Sequence, residues 1–345
     1  MQNHKVYKTI PFGYIKFLSR IDIFLNPLVS RFVKIVSWIN KNTIKHPVIH
    51  AISQPVNFGD IAKARASNSS KFPDLNVFSP IISKDFDLID DFIKQLRRHS
   101  VNNISSIFLI TRKSDYELLV NLTRKYSEVE VLLEEQIVPK TVLKELSKFQ
   151  NPLKGWILQM AIKFSATMIS SEEFNLIIDP DTILTSDILW VDSDGKSALF
   201  PTYHDANINL RVYESFQKLN ISTNRFECFV SHMMVWRKSI VKIMLERIND
   251  SNSSPNTAQT STYETALLLL FKIGSEVVDW QLYGDFVLSN FPSIVVRNKW
   301  GNLAIYDPML DSEAISRYIN EYSQHYRSLS FHTHSLIHLE ESRVN

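Results

Sequence analysis

From about Asn76 onward the apolar residues fall into two kinds of run. Four short blocks rich in β-branched and aromatic side chains read as buried strands: NVFSPII (76–82), SSIFLIT (105–111), Val129–Leu133 and FNLII (174–178). Between them, apolar positions recur every three or four residues over Phe86–His99, Asp115–Tyr126, Thr141–Phe149 and Pro152–Ala166, the spacing of helices with one buried face. Strands alternating with helices predict an α/β fold with a mostly parallel sheet flanked by helices and joined by right-handed crossovers. A second group follows, with a strand over FVSHMMVW (229–236), a helix over Lys238–Asn249 and a helix over Tyr263–Phe271. The Ser/Asn/Pro/Thr-rich stretch Asp250–Thr262 between those two helices has the composition of a mobile lid.

The first 71 residues follow another pattern. Leu18, Ile21, Leu25, Leu28, Phe32, Ile35 and Ile39 keep helical spacing, and Asn26-Pro27 is expected to split the run into two helices. The polar stretch Lys63–Lys71 then reads as a linker, which makes residues 1–71 a helical N-terminal extension and 72–345 the α/β domain. Charge separates the same two parts. The net charge is +2, yet residues 1–50 hold eight Lys/Arg against Asp22 alone, +7 for the arm and −5 for the rest. Over residues 14–40 the aromatic side chains interleave with these cations, and two readings stand. One is an interfacial helix drawn to an anionic membrane surface; the other is a helical extension with a solvated basic face. No apolar run reaches the roughly 18 residues of a membrane span, because Asp22, Arg31 and Lys34 interrupt each candidate. With the remainder net acidic, nucleic acid is not an expected partner.

Composition removes further classes. The seven glycines never fall at GxGxxG or GxxxxGK spacing, so neither a Rossmann nor a Walker phosphate loop is present. Cys228 is alone, which excludes an intrachain disulfide and a cysteine zinc site and points to a reducing, cytoplasmic setting, peripheral at a membrane if the arm binds lipid. A lone thiol in this context reads as buried.

Chemistry concentrates in FNLIIDPDTIL, where Asp179 and Asp181 stand at the carboxyl end of a buried strand. In an extended chain, positions i and i+2 point the same way, roughly 6.6 Å apart. Two carboxylates so placed call for a cation between them, and hard oxygen ligands at a sheet's carboxyl edge suit Mn²⁺ or Mg²⁺. The alternative is a surface Asp-Pro-Asp turn. Gln159 and Lys163, at i and i+4, share a helix face and present an amide for a hydroxyl and an ammonium for a phosphate, or else form a solvated pair. Trp156 on the same helix reads as a core residue.

GWILQMAIKFSA (155–166) followed by FNLIIDPDTIL resembles the sequence G-W-x-x-Q-Q-x-x-K, then a strand ending in D-x-D, of nucleotide-sugar glycosyltransferases of the GT-A type, a group largely of uncharacterised microbial proteins. FVSHMMVWRKSIVKIMLERI (229–248) and VDWQLYGDFV (278–287) are similar to later stretches of that family, so the likeness runs over about residues 76–300. Two positions depart from it: Met160 replaces the second Gln, and Gln281 stands where a Glu is frequent. The resemblance implies a GT-A-like fold and sugar transfer from a nucleoside diphosphate sugar to a glycan, lipid or protein acceptor. It implies a divalent metal on Asp179 and Asp181, completed by a late histidine, for which FHTHS offers His332 and His334. Gln159 and Lys163, with the two aspartates, would then bind the donor. Asp279 becomes the candidate catalytic base for an inverting reaction, and His232 an acceptor-site residue, with His204-Asp205 also placed to face a cleft. Two other classes stay open: a sugar-phosphate nucleotidyltransferase, although SPIISKDFD after the first strand lacks the glycines that chemistry needs, and a non-catalytic binding or scaffold protein of the same fold.

Overall fold

A computed structural model describes residues 48–51, 72–149, 153–201, 215–219, 221–222, 227–250, 262–273, 278–298, 301–307 and 310–332. The basic arm, the linker Lys63–Lys71, most of the expected lid, His204-Asp205 and His334 lie outside these residues. The chain forms two compact units, Met1–Val48 and Ile49–Asn345, and apart from Val48 everything described belongs to the second.

The strands in chain order are β1 (Val48–Ala51), β2 (Leu75–Pro80), β3 (Ile104–Thr111), β4 (Val129–Leu133), β5 (Phe174–Ile178), β6 (Thr182–Leu184), β7 (Ser197–Leu199), β8 (Met233–Arg237), β9 (Val295–Arg297), β10 (Asn302–Tyr306) and β11 (Ser328–Phe331). The helices are α1 (Ile89–His99), α2 (Tyr116–Thr123), α3 (Glu134–Ile137), α4 (Lys140–Leu146), α5 (Leu153–Ile169), α6 (Lys238–Asp250), α7 (Thr262–Ile273), α8 (Asp279–Asn290) and α9 (Ser312–Tyr322). The fold is a mixed α/β architecture whose central sheet, in the order β4-β3-β2-β5-β8, is parallel except for β8. The outer strand runs antiparallel to β5, with Ile178 opposite Met233. A second sheet pairs β10 with β11 in parallel and β11 with β6 in antiparallel, and β7 pairs with β9.

Alternation along the central strands feeds two separate cores, which is why their sequences read as nearly continuous apolar runs. Phe78, Ile110, Ile177, Met234 and Trp236 enter one core with the inner faces of α5, α6, α7 and α8. Val77, Leu109, Leu176, Ile178, Met233 and Val235 enter the other with α1, β6, β11 and α9. Cys228 is buried.

Three local departures from the pattern have visible causes. The expected helix over Phe86–His99 begins as a 3₁₀ turn, Ser83–Leu88, before becoming α1. The expected strand over 229–236 starts only at Met233, because His232 has φ +58° and cannot continue an extended run. Trp156, near the start of α5, is 62% exposed rather than packed in the core. Among the described residues no helix is long and apolar enough to cross a membrane.

Candidate functional site

Asp179 is the residue that follows β5 at its carboxyl end. The chain does not stay extended there: the Thr182 N–H donates to the Asp179 carbonyl at 3.0 Å, closing a tight turn with Pro180 inside it. The two carboxylates are therefore brought close by a turn rather than by strand pleat, and they lean to different neighbours.

Asp179 leans toward α5. Its Oδ1 lies 3.3 Å from Lys163 Nζ, and Lys163 Nζ is also 2.9 Å from Asp279 Oδ2 and 4.2 Å from the centre of the Trp280 ring. Lys163 is almost fully buried, on the inner face of a helix whose neighbours Ile162 and Phe164 are core residues. Burial alone pulls an ammonium's pKa down, but here the charges of Asp179 and Asp279 outweigh it and hold Lys163 above its ordinary value. Asp279 opens α8, and its second oxygen, Oδ1, accepts the Trp280 backbone N–H at 2.9 Å. The other Asp179 oxygen, Oδ2, is 3.0 Å from His232 Nδ1, and the Asp179 N–H donates to the His232 carbonyl at 2.9 Å. Burial would raise the Asp179 carboxyl, yet Lys163 first and His232 next hold it well below the usual carboxylate range. His232 gains in return: burial disfavours its imidazolium, and the bond to Asp179 more than restores it. Among the described non-glycine residues, His232 is the one with positive φ, a strained conformation kept because both its carbonyl and its ring are engaged by Asp179.

Asp181 leans the other way, toward β11. Its carbonyl accepts the Phe331 N–H at 2.9 Å, and its Oδ2 lies 3.7 Å from His332 Nδ1. The His332 ring is 5.4 Å, centre to centre, from that of His232. Burial, with the Asp179 charge added to it, pushes the Asp181 carboxyl up to about 7. A third carboxylate, Asp85 in the 3₁₀ turn after β2, is buried nearby; burial raises its pKa, Lys84 at 2.8 Å opposes the rise, and Asp179 adds to it. Sequence reading passed over Asp85, although its place just past the carboxyl end of a central strand was a usable signal.

Asp181, Asp179 and His332 form a donor set of two carboxylates and one imidazole, the kinds of group that ligate Mn²⁺ or Mg²⁺. Their chemistry is of the kind that suits a divalent cation. Among the described residues, however, no three such side chains already converge on one point, and Asp179 is paired with Lys163 and His232.

The remaining expected residues fall as follows. Gln159 is exposed and lines, with Lys163, Asp179, His232 and Asp279, a pocket of about 140 Å³ between α5 and the start of α8. Met160, where the family resemblance has a Gln, is part of its apolar wall. Gln281, where a Glu was expected, is buried and structural: its Oε1 accepts the Phe229 N–H at 2.8 Å, while its Nε2 donates to Asp285 Oδ2 at 2.9 Å and to the Glu227 carbonyl at 3.1 Å. A buried glutamate could not make those two donations.

Among curated proteins none matches this sequence significantly. Solved structures resemble it weakly. The WbbM bifunctional glycosyltransferase, in its apo structure, is 13% identical with a TM-score of 0.39 over 75% of this chain, which spans only 45% of that one. Mouse xyloside xylosyltransferase 1, also apo, is 8% identical with a TM-score of 0.41 over 75% of this chain and 98% of that one. Core-mannan synthase A from Aspergillus fumigatus, in a Mn/GDP form, is 8% identical with a TM-score of 0.42 over 65% of this chain and 72% of that one. Sequence-family comparison is firmer: residues 83–338, most of the chain and every described member of the site, match the family of unknown function DUF6492, and the protein belongs to that family.

Proposed function

We propose that this chain is a metal-dependent glycosyltransferase that moves a sugar from a nucleoside diphosphate sugar to a hydroxyl acceptor. The observation that carries the reading is Asp181: a buried carboxylate, stacked against the charge of Asp179 and facing His332, at the carboxyl edge of an α/β sheet. Asp179, Asp181 and His332 would hold Mn²⁺ or Mg²⁺, which when bound supplies neutralising charge for a leaving diphosphate. Lys163, already poised between two carboxylates, offers a second positive charge on the donor side, and Gln159 at the pocket's exposed rim offers an amide to a sugar or ribose hydroxyl. Asp279 would take the proton of the acceptor hydroxyl in an inverting reaction. Both its oxygens are engaged, so Lys163 must release Oδ2 first, and exchange of Lys163 from Asp279 to phosphate would accomplish that.

The segment after β2 argues against a nucleotidyltransferase. It contains no glycine, so it lacks the backbone cradle that a triphosphate needs there. Residues 14–40 are proposed to bring the enzyme to an acceptor at an anionic membrane surface.

The test is a titration of Mn²⁺ with UDP-, GDP-, CDP- and ADP-sugars, following thermal stability and release of free nucleoside diphosphate. A stabilisation that needs both metal and one nucleotide, and that Asp181→Asn abolishes, is the expected result. An undiminished metal-dependent response in Asp181→Asn overturns the metal assignment, and release of pyrophosphate instead of nucleoside diphosphate overturns the reaction.

A further inference from the structure

The pocket beside Asp179 has an apolar wall and an exposed aromatic rim that the transfer reading does not use. Its floor is ionic, made by Lys163, Asp179 and Asp279, and its wall is apolar, with Ile157, Met160, Val230 and Val278. Trp156 stands at its rim, 62% exposed, although a tryptophan this open to water on a helix loses the burial that usually keeps it. Trp156 and Lys163 are seven residues apart on α5, two helical turns, so they share one face about 10 Å apart from rim to floor. Gly155, immediately before Trp156 and one turn ahead of Gln159, has nothing within 4 Å of where a Cβ would stand. Glycine within a helix is unfavourable and no packing demands it here, which leaves bare backbone beside the rim.

These parts match one kind of ligand. A pyranose ring carries C–H groups on its faces and hydroxyls around its edge, so it needs an aromatic or aliphatic wall beside the faces and carboxylate, ammonium and amide groups at the edge. At about 140 Å³ the pocket is well below the roughly 300–1,000 Å³ of sites for larger ligands, which suits one ring and not a whole nucleotide sugar. We infer that this pocket, lined by Asp179 and His232 but not by Asp181 or His332, holds a single pyranose, with Trp156 as its stacking platform and Lys163, Asp279 and Gln159 around its hydroxyls. The inference rests on the glycosyl-transfer reading and extends it to a sugar subsite. The ring belongs either to the donor or to the terminal residue of a glycan acceptor.

Saturation-transfer NMR on the full chain, with methyl glucoside, galactoside and mannoside as probes and then the corresponding nucleoside diphosphate sugars with Mn²⁺, tests it. Transfer to the ring C–H protons of a free glycoside identifies an acceptor sugar; transfer only to the sugar of a nucleoside diphosphate sugar identifies the donor's. In either case Trp156→Phe keeps the signal and Trp156→Ala weakens binding by about tenfold or more. Trp156 is too exposed for its loss to unfold the chain, and an unchanged melting temperature of the apo variant verifies this. The inference is overturned if no pyranose in either form shows transfer, or if Trp156→Ala binds as the parent does. Binding of the nucleoside diphosphate and Mn²⁺ alone, in the same samples, separates the two readings. Nucleotide binding with no Trp156 effect removes the sugar subsite only, whereas pyranoside binding without nucleotide binding removes the transfer reading only.

Discussion

Asp179 and His232 grip each other at two points: the Asp179 N–H donates to the His232 carbonyl at 2.9 Å, and the Asp179 carboxylate holds His232 Nδ1 at 3.0 Å. The double contact fixes the loop before β8 against the turn after β5, and it holds His232 at φ +58°. If the backbone contact enforces that conformation, replacing the side chain should expose its cost. His232→Ala and His232→Gly both lose the ring contact, but only alanine keeps the left-handed penalty. The glycine variant is expected to be the more stable of the two by about 1 kcal/mol in urea denaturation. Equal stabilities would mean that residue 232 abandons the left-handed region once its ring is gone.

Asp181 makes stability depend on pH in an unusual direction. Its folded pKa of about 7 lies above the unfolded value, so the folded state binds the extra proton between about pH 4 and 7 and loses stability as pH rises through that window. Without metal, Asp181→Asn is therefore expected to be more stable than the parent at pH 8 and nearly equal to it at pH 5. His232 titrates in both proteins and contributes to both curves. Urea midpoints at the two pH values decide the matter: a gain of the same size at both would show that Asp181 is not the source.

Two glycines should respond in opposite ways to the same change. At Gly284, in α8, an added Cβ would lie 2.3 Å from Phe229 Cγ and 2.6 Å from its Cβ, a side chain locked in the core. Gly284→Ala is expected to destabilise by about 1–3 kcal/mol despite alanine's better helix propensity. Gly155→Ala meets open space and is expected to stabilise by up to about 1 kcal/mol. Thermal denaturation of both variants is the check, and a stabilising Gly284→Ala would mean that α8 sits farther from Phe229.

Much of the central sheet was legible because its inner strands are buried and leave apolar runs, as FNLII does at β5; the half-exposed edge strand β4 was legible from the β-branched and aliphatic residues of Val129–Leu133. The second sheet was less so. β6 is three residues long, and it reaches β10 through β11, more than 140 positions away, a pairing that no local pattern encodes. Within the site, Asp179 and Asp181 stood out because paired carboxylates at the end of an apolar strand need a cation, whereas Lys163 stood out through the family resemblance, since helix spacing alone also allowed a solvated pair with Gln159. Asp85 carries no such signal, because it lies in a short polar stretch with Lys84 and Asp87 that looks solvent-exposed in sequence but folds into a 3₁₀ turn that buries it. Trp156 was misplaced since tryptophan in an apolar helix is usually core, and only the position of α5 at a pocket mouth exposes it. The left-handed His232 had no signature at all in the run Phe229–Trp236; it follows from a contact with a residue 53 positions earlier.

The pairing of β11 with β6 also sets when the site can exist during synthesis. Asp181 takes the Phe331 N–H and faces His332, so its surroundings are finished by residues that leave the ribosome more than 140 positions after it. Until then the nascent chain carries a carboxylate pair with one side unroofed, open to water and to any passing cation. Completion of the site is thus withheld until almost the whole matched region has emerged, and a chain broken off before β11 would keep the central sheet's strands while lacking one wall of the Asp181 site.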